Sequence, residues 1–185
     1  GIPGPFRGRV VAVEHPGCIV SGKYQREPVR EMLRRGMMEL TGAPSATEAW
    51  RMFFEKGDVV GIKVNPVGQP YIISSAEVFQ EIVAALHECG ISNKEIVAYD
   101  RYGREFLSGG FDKWLPEGVR WTCGTGEFST RNPLQLDMEG YDPDHYMEMA
   151  LVARGGNPAD AHHRRSYVAK FLTREVNKMI NLGVL

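Results

Sequence analysis

Residues 58–101, DVVGIKVNPVGQPYIISSAEVFQEIVAALHECGISNKEIVAYDR, decide the fold. Val59 to Val64 is β-branched and carries a single charge, Lys63. That pattern suits a strand covered on both faces. The loop Asn65-Pro66-Val67-Gly68-Gln69-Pro70 follows, and Ser74 with Glu77 then makes a capping box at a helix start. Val78, Phe79, Ile82, Val83, Leu86 and Cys89 fall on one face of that helix, and Gly90 suits the position just past its end. Glu95 to Tyr99, EIVAY, reads as the next strand. Strand, helix and strand make one crossover. The predicted fold is therefore α/β, a three-layer sandwich with a mainly parallel sheet built from βαβ units.

In an open parallel sheet, ligands sit in the crevice beyond the carboxyl ends of the strands. Lys63 and Asn65 close the first strand, and Asp100 and Arg101 close the second. The crevice they border is the first place to look for chemistry. The loop from Asn65 to Pro70 leads into a capped helix, and helix N-terminal amides attract anions. It carries neither a GxGxxG fingerprint nor a Walker A lysine–serine pair, so the dinucleotide and P-loop readings find no support. A Lys near the end of an apolar strand serves as base or nucleophile when buried, and as a rim charge when not.

Outward from this unit the signals are plainer at the start than at the end. Arg9 to Glu14, RVVAVE, predicts a first strand closed by His15-Pro16-Gly17. Glu27-Pro28 opens a helix with Val29, Met32, Leu33, Met37 and Leu40 as its apolar stripe, ended by Gly42 and Pro44. Ser45 with Glu48 caps a second helix that carries Ala49, Trp50, Phe53 and Phe54. Past Arg101 the spacing predicts a helical turn over 104–107 and a strand over 119–123. A long irregular excursion over 124–157 is expected next, with a short helix near 146–152. Val168, Phe171, Leu172 and Val176 then give 166–178 helical spacing, and Met179 to Leu185, MINLGVL, reads as a terminal strand. Trp50, Trp114 and Trp121 are expected in the core or at an interface.

The chain of 185 residues suits a single α/β domain over 1–185, with a flexible Gly/Pro-rich start over 1–8. Hydrophobic content of 43% and charged content of 24% are ordinary for a globular protein. A net charge of −1 and the lack of a basic patch with interleaved aromatics argue against nucleic acid as a partner, and no apolar run has the length of a membrane span. Cys18, Cys89 and Cys123 form no CxxC pair, so neither a zinc ribbon nor an iron–sulfur cluster is expected within this sequence. There is no GxSxG and no Cys/His or Ser/His/Asp pattern. Asp142, Asp144 and His145 bear metal-ligating atoms without a further spaced ligand, so no metal site is expected and no cofactor is identified. The run His162-His163-Arg164-Arg165 before the last helix could provide metal or phosphate ligands, although adjacent side chains rarely converge on one metal.

The segments VVGIKVN, SSAEVFQEIVAALHECGI, IVAYDR and VNKMINLGVL together resemble the domain-of-unknown-function 362 family, from about Arg9 onward. The opening Gly8–Gly17 resembles a subgroup of exported bacterial proteins with a GRVVxVxHPG segment. The resemblance implies an α/β domain, export to the periplasm, and relatives that carry ferredoxin-like modules. A more distant similarity is to the N-terminal domain of nickel-pincer lactate racemases. There Asn65 and Gln69-Pro70 stand where the racemase pattern has Asp and Arg-Pro. Relatives in the first family read INLPVLK and then a His, where this sequence has Gly183 and ends at Leu185. That difference implies a shorter version of the domain, with a terminal strand open to a second copy.

Three functional readings follow. The preferred one is a small-molecule or cofactor-binding domain of an exported, redox-linked bacterial protein. Its candidate binding residues are Asn65, Gln69, Ser74, Ser75, Arg101, His162, His163 and Arg165, and its ligand is expected to be a small molecule or an anion. The second is a stand-alone enzyme with Lys63 and Asp100 as catalytic candidates beside the 162–165 cluster. The third is an interaction module, a homo-oligomer or a domain completed by another subunit through the C-terminal strand.

Overall fold

The computed structural model describes residues 4–125, 140–150, 152 and 156–184. Its first departure from expectation is residues 9–14, which form no strand. RVVAVE alternates like a strand but finds a helix instead of a ladder partner. Its valines run along the first helix, where the bare Gly36 leaves room for Val13. A short hairpin follows, β1 (Ile19–Val20) and β2 (Lys23–Tyr24). Ser21 (φ 50°) and Gly22 (φ 73°) both sit in the left-handed region between them, as a two-residue type I′ turn demands.

Helix α1 (Arg26–Thr41) ends at Gly42, whose left-handed backbone (φ 76°) returns its N–H to Met38 O. Helix α2 (Ala46–Arg51) starts as expected, with Ser45 Oγ accepting from Glu48 N. Strand β3 (Val60–Lys63) leads to helix α3 (Ala76–Glu88) and on to strand β4 (Ile96–Tyr102). The cap of α3 is Ser75, one residue later than predicted, because Ser74 Oγ is engaged elsewhere. The short helix α4 (Gly103–Ser108) precedes β5 (Arg120–Thr125).

The predicted helix near 146–152 is instead a strand as far as Glu148, since β6 covers Tyr141–Glu148. The predicted helix over 166–178 is likewise replaced, by β7 (Arg165–Ala169) and a π-helical turn over Phe171–Glu175. The run from Ser166 to Ala169 also alternates, and an antiparallel partner decides between the two periods. Tyr141 pairs with Ala169 and Glu148 with Arg165, across a bulge that takes up Pro143–His145. Strand β8 (Lys178–Asn181) is the last element, and residues 182–184 beyond it are not in a strand.

The main sheet has the order β5-β4-β3-β8 and is parallel throughout. The fold is α/β. Val60, Ile62, Ile96 and Ala98 point to one face, where they are buried with Phe79, Leu86 and Phe106 beneath α3 and α4. Helix α1 packs on α3 and α2. The opposite face holds Val97 and Tyr99, covered by Ala169 and Phe171. Here the cover is the β6–β7 hairpin and the π turn. Gly61 faces the same way, and its missing side chain leaves the space that Phe171 and Met179 fill. Trp50 is buried as expected, whereas Trp121 stacks on Phe106 with 38% of its surface exposed.

Buried charges are tied down on both sides. Glu81 of α3 accepts from Arg30 Nε at 2.8 Å and from Arg26, joining α3 to α1. Asp58 accepts from Glu55 N and Asn177 Nδ2, which fastens the start of β3 to the approach to β8. Asp142 of β6 accepts from Thr173 Oγ1 at 2.7 Å and Arg174 Nε at 3.2 Å, which fastens the hairpin to the π turn. No described helix is long and apolar enough to cross a membrane.

Candidate anion-binding cleft

The cleft that meets the predicted site lies at the carboxyl ends of β3 and β4, under the hairpin, with a volume of ≈ 460 Å³. Strand geometry explains who reaches it. Successive side chains alternate across a sheet, so Tyr99 and Arg101 of β4 share the cleft face and Asp100 takes the other. Lys63, beside Tyr99 in register, ends β3 on the same face. Tyr141, Arg165 and Tyr167 come from the hairpin, and Leu172 comes from the π turn.

The cations are held by different means. Lys63 Nζ curls round its strand end, donates to Val64 O at 2.9 Å and lies 3.4 Å from Asp100 Oδ1. Asp100 is buried, and its second oxygen accepts from Tyr102 N at 3.1 Å. Arg101 Nε donates to Tyr141 Oη at 2.9 Å, and its guanidinium lies 5.1 Å from the Tyr102 ring centre. Arg165 lies over the Tyr146 ring at 4.0 Å and pairs at 3.7 Å with Glu148. A hydrogen bond with Tyr167 raises its pKa above the already high arginine value. Both arginines are thus braced by aromatic rings, which orients them at little entropic cost.

Tyr99 forms the floor, stacked on Phe171 with ring centres 4.6 Å apart and planes 5° from parallel. Burial, and then the neighbouring Tyr141, push its hydroxyl well above the usual phenol range, so it stays a neutral donor. Cys123 of β5 is pushed up in the same way by burial, which disfavours the thiolate a nucleophile needs.

The sequence candidates divide between the cleft and the framework around it. Lys63, Arg101 and Arg165 line the cleft, and Asp100 braces Lys63 from behind. His162 sits one shell out, sharing a hydrogen bond with Tyr167 Oη. His163 turns away, its Nδ1 accepting from Asn157 N at 2.9 Å. The residues of the 65–75 loop are engaged in the framework. Ser74 Oγ accepts from Asn65 N at 2.8 Å and donates to Leu182 O at 2.6 Å. Gln69 Nε2 donates to Glu105 O at 2.7 Å, tying the loop to α4. Ser75 Oγ caps Val78 N and donates to Glu77 Oε2 at 2.8 Å. The α3 N-terminus therefore carries its own hydroxyl cap and a carboxylate in its first turn.

Tyr99, Tyr141 and Tyr167 are the cleft residues that sequence reasoning missed. Tyr99 could have been found, since it stands two residues before Arg101 on one strand. Tyr141 and Tyr167 depend on the pairing of β6 with β7, which joins residues far apart in sequence. Asp142 is taken up by Thr173 and Arg174, and His145 Nδ1 lies 3.4 Å from Asp142 Oδ2. No family model, curated protein or solved structure matches this chain.

Proposed function

We propose that this domain binds a small organic anion in the cleft at the ends of β3 and β4. One observation carries the reading. Three cationic side chains, Lys63, Arg101 and Arg165, arrive from three separate strands at one cleft. The volume falls within the range of ordinary small-molecule sites. Charge-assisted hydrogen bonds from such groups contribute more than neutral ones do, and braced guanidiniums lose little freedom in making them. Asp100 supports the site by fixing Lys63. The resemblance to the domain-of-unknown-function 362 family extends this reading to an exported, redox-linked bacterial protein.

Titration calorimetry with a panel of carboxylates and phosphates tests the reading. Saturable, salt-sensitive binding is expected, weakened about 10- to 100-fold by Lys63→Met, as loss of a charged hydrogen bond implies. Binding indifferent to that change, or no binding at all, would remove the proposal.

A second reading concerns β8. It stands at the edge of the sheet, and alternate residues along it, Met179 and Asn181, are exposed. Strand addition by a second copy would fit there. A mass that stays monomeric over a hundredfold concentration range in light scattering would exclude it.

A further inference from the structure

We infer that the protein pairs with a second copy of itself through residues 10–14, edge to edge and antiparallel. The inference does not depend on the cleft. Val11 and Val13 are half-buried while Val10, Ala12 and Glu14 are exposed, which is the two-residue alternation of a strand. Yet no backbone N–H or C=O of these five residues is hydrogen-bonded among the described residues. A run of unpaired backbone groups of this kind is a template for another strand.

The surroundings are those of an interface as well. The segment runs along α1 beside a trough of ≈ 540 Å³ whose walls include Met32, Leu33, Met37 and Leu40. Val10 is 90% exposed, and Ile19, Val20 and Tyr24 of the hairpin that follows are exposed too. Apolar side chains gathered on the surface in this way mark a contact region. A strand added beside 10–14 continues the same pleat, so its alternate side chains face α1 and the trough.

A second copy supplies the strand that fits. Its own 10–14 is unpaired over the same length, and a two-fold axis satisfies both edges at once. Arg9 and Glu14 fix the direction. Both are exposed, and neither has an ion-pair partner among the described residues. Antiparallel pairing brings the Arg9 end of each copy to the Glu14 end of the other, whereas parallel pairing sets like charges side by side. The unpaired run centres on Ala12. Ala12 therefore lies opposite Ala12 of the other copy, Val11 opposite Val13, and Val10 opposite Glu14. Val11 and Val13, half-buried in one protomer, are then closed in between the two α1 helices.

Sedimentation equilibrium of the full chain reads the association, for wild type, Val10→Glu and Val10→Lys. Wild type should form a dimer. Val10→Glu sets a carboxylate opposite Glu14 in each of the two symmetric pairs, and Val10→Lys sets an ammonium there. Both lose the same exposed valine, so their difference isolates the register. The lysine variant should dimerise at least about fivefold more tightly than the glutamate variant, and the gap should shrink in high salt. Ala12→Cys in a Cys18→Ser background, oxidised with copper–phenanthroline, should give a covalent dimer. Directly opposed Cα atoms lie about 4.5–5.5 Å apart, within disulfide reach. A protein that stays monomeric up to its solubility limit overturns the inference. If that monomer takes up a synthetic peptide of alternating valine and threonine, the edge belongs to a foreign strand instead. A dimer in which both Val10 variants associate equally and Ala12→Cys does not cross-link is joined through another edge, such as β8, and overturns the inference too. Unchanged melting of the Val10 variants would show that their effect is on association and not on the fold.

Discussion

Replacing Gly61 with alanine should destabilise this protein, although the same change in the middle of a strand usually helps. Alanine holds an extended conformation more readily than glycine, a gain of about 0.5–1 kcal/mol in an unobstructed strand. At position 61 the added methyl would overlap Met179 Sδ and Phe171 Cζ and lie 3.1 Å from Phe171 Cε1. The two neighbours differ in their freedom to yield. Met179 is 39% exposed and its thioether can swing outward. Phe171 is 3% exposed and clamped against Tyr99, so it must move as a ring or push β3 away. Overpacking of this kind costs about 1–3 kcal/mol, and the net loss should be about 1–2 kcal/mol. For a chain of this size that is a fall in Tm of about 2–8 °C.

Urea unfolding followed by far-ultraviolet circular dichroism measures the change, as a lower midpoint with an unaltered slope. The double variant Gly61→Ala with Phe171→Leu sharpens the test, because leucine lacks the ring edge that the methyl meets. The two changes should couple favourably by about 0.5–3 kcal/mol. A single variant as stable as wild type, or a double variant that is strictly additive, would refute the claim that Phe171 fills the space above Gly61.

Three further outcomes follow from the same contacts. Burial alone would raise the pKa of Glu81, but hydrogen bonds from Arg30 and Arg26 outweigh it and the net shift is downward. A lowered carboxyl pKa contributes stability that is complete above the unfolded value, about 4.3, and lost as the pH falls through the folded value. Glu81→Gln should therefore cost about 1–3 kcal/mol at pH 7 and flatten the acid limb of a stability–pH curve below about pH 4. Ser74→Ala removes the acceptor for Asn65 N and the donor to Leu182 O at a buried position, and should cost about 1–3 kcal/mol in urea unfolding. Asp142, held low by Thr173 first and then by Asp144 N, Arg174 and His145, pins the hairpin. Asp142→Asn should speed amide exchange over 141–148 and 165–169 by about tenfold or more, with α3 protection unchanged.

The βαβ unit was legible because it is local. A β-branched strand, a capped helix and a second strand lie within 58–101, and each is signalled by neighbours in sequence. The predicted cap was off by one, at Ser74, because both serines suit the position and a tertiary contact assigns their roles. Ser74 reaches across to Leu182 and leaves Ser75 to cap. The last third was misread for the same kind of reason. Val168, Phe171, Leu172 and Val176 fit a helix, and Ser166 to Ala169 fit a strand. Only the distant Tyr141–Glu148 segment, whose own end reads as helical in sequence, decides between them. Of the cleft, the strand-end cations could be read, whereas its tyrosine walls come from that same long-range pairing.

The π turn couples the cleft to one part of the core, the sheet face that Phe171 seals. Five residues, Phe171–Glu175, give consecutive side chains different tasks. Phe171 seals the sheet face, Leu172 turns to the cleft, and Thr173 and Arg174 hold Asp142 and with it the hairpin wall. Widened turns of this sort are common where a function has displaced regular packing. The consequence can be measured. Gly61→Ala disturbs Phe171 and should weaken anion binding in the cleft along with stability. Ser74→Ala, on the far side of the sheet, should lower stability and leave affinity for the folded protein unchanged. Equal loss of affinity in both variants would mean that binding follows global stability rather than the position of Phe171, and the π turn would then have no special part in shaping the cleft.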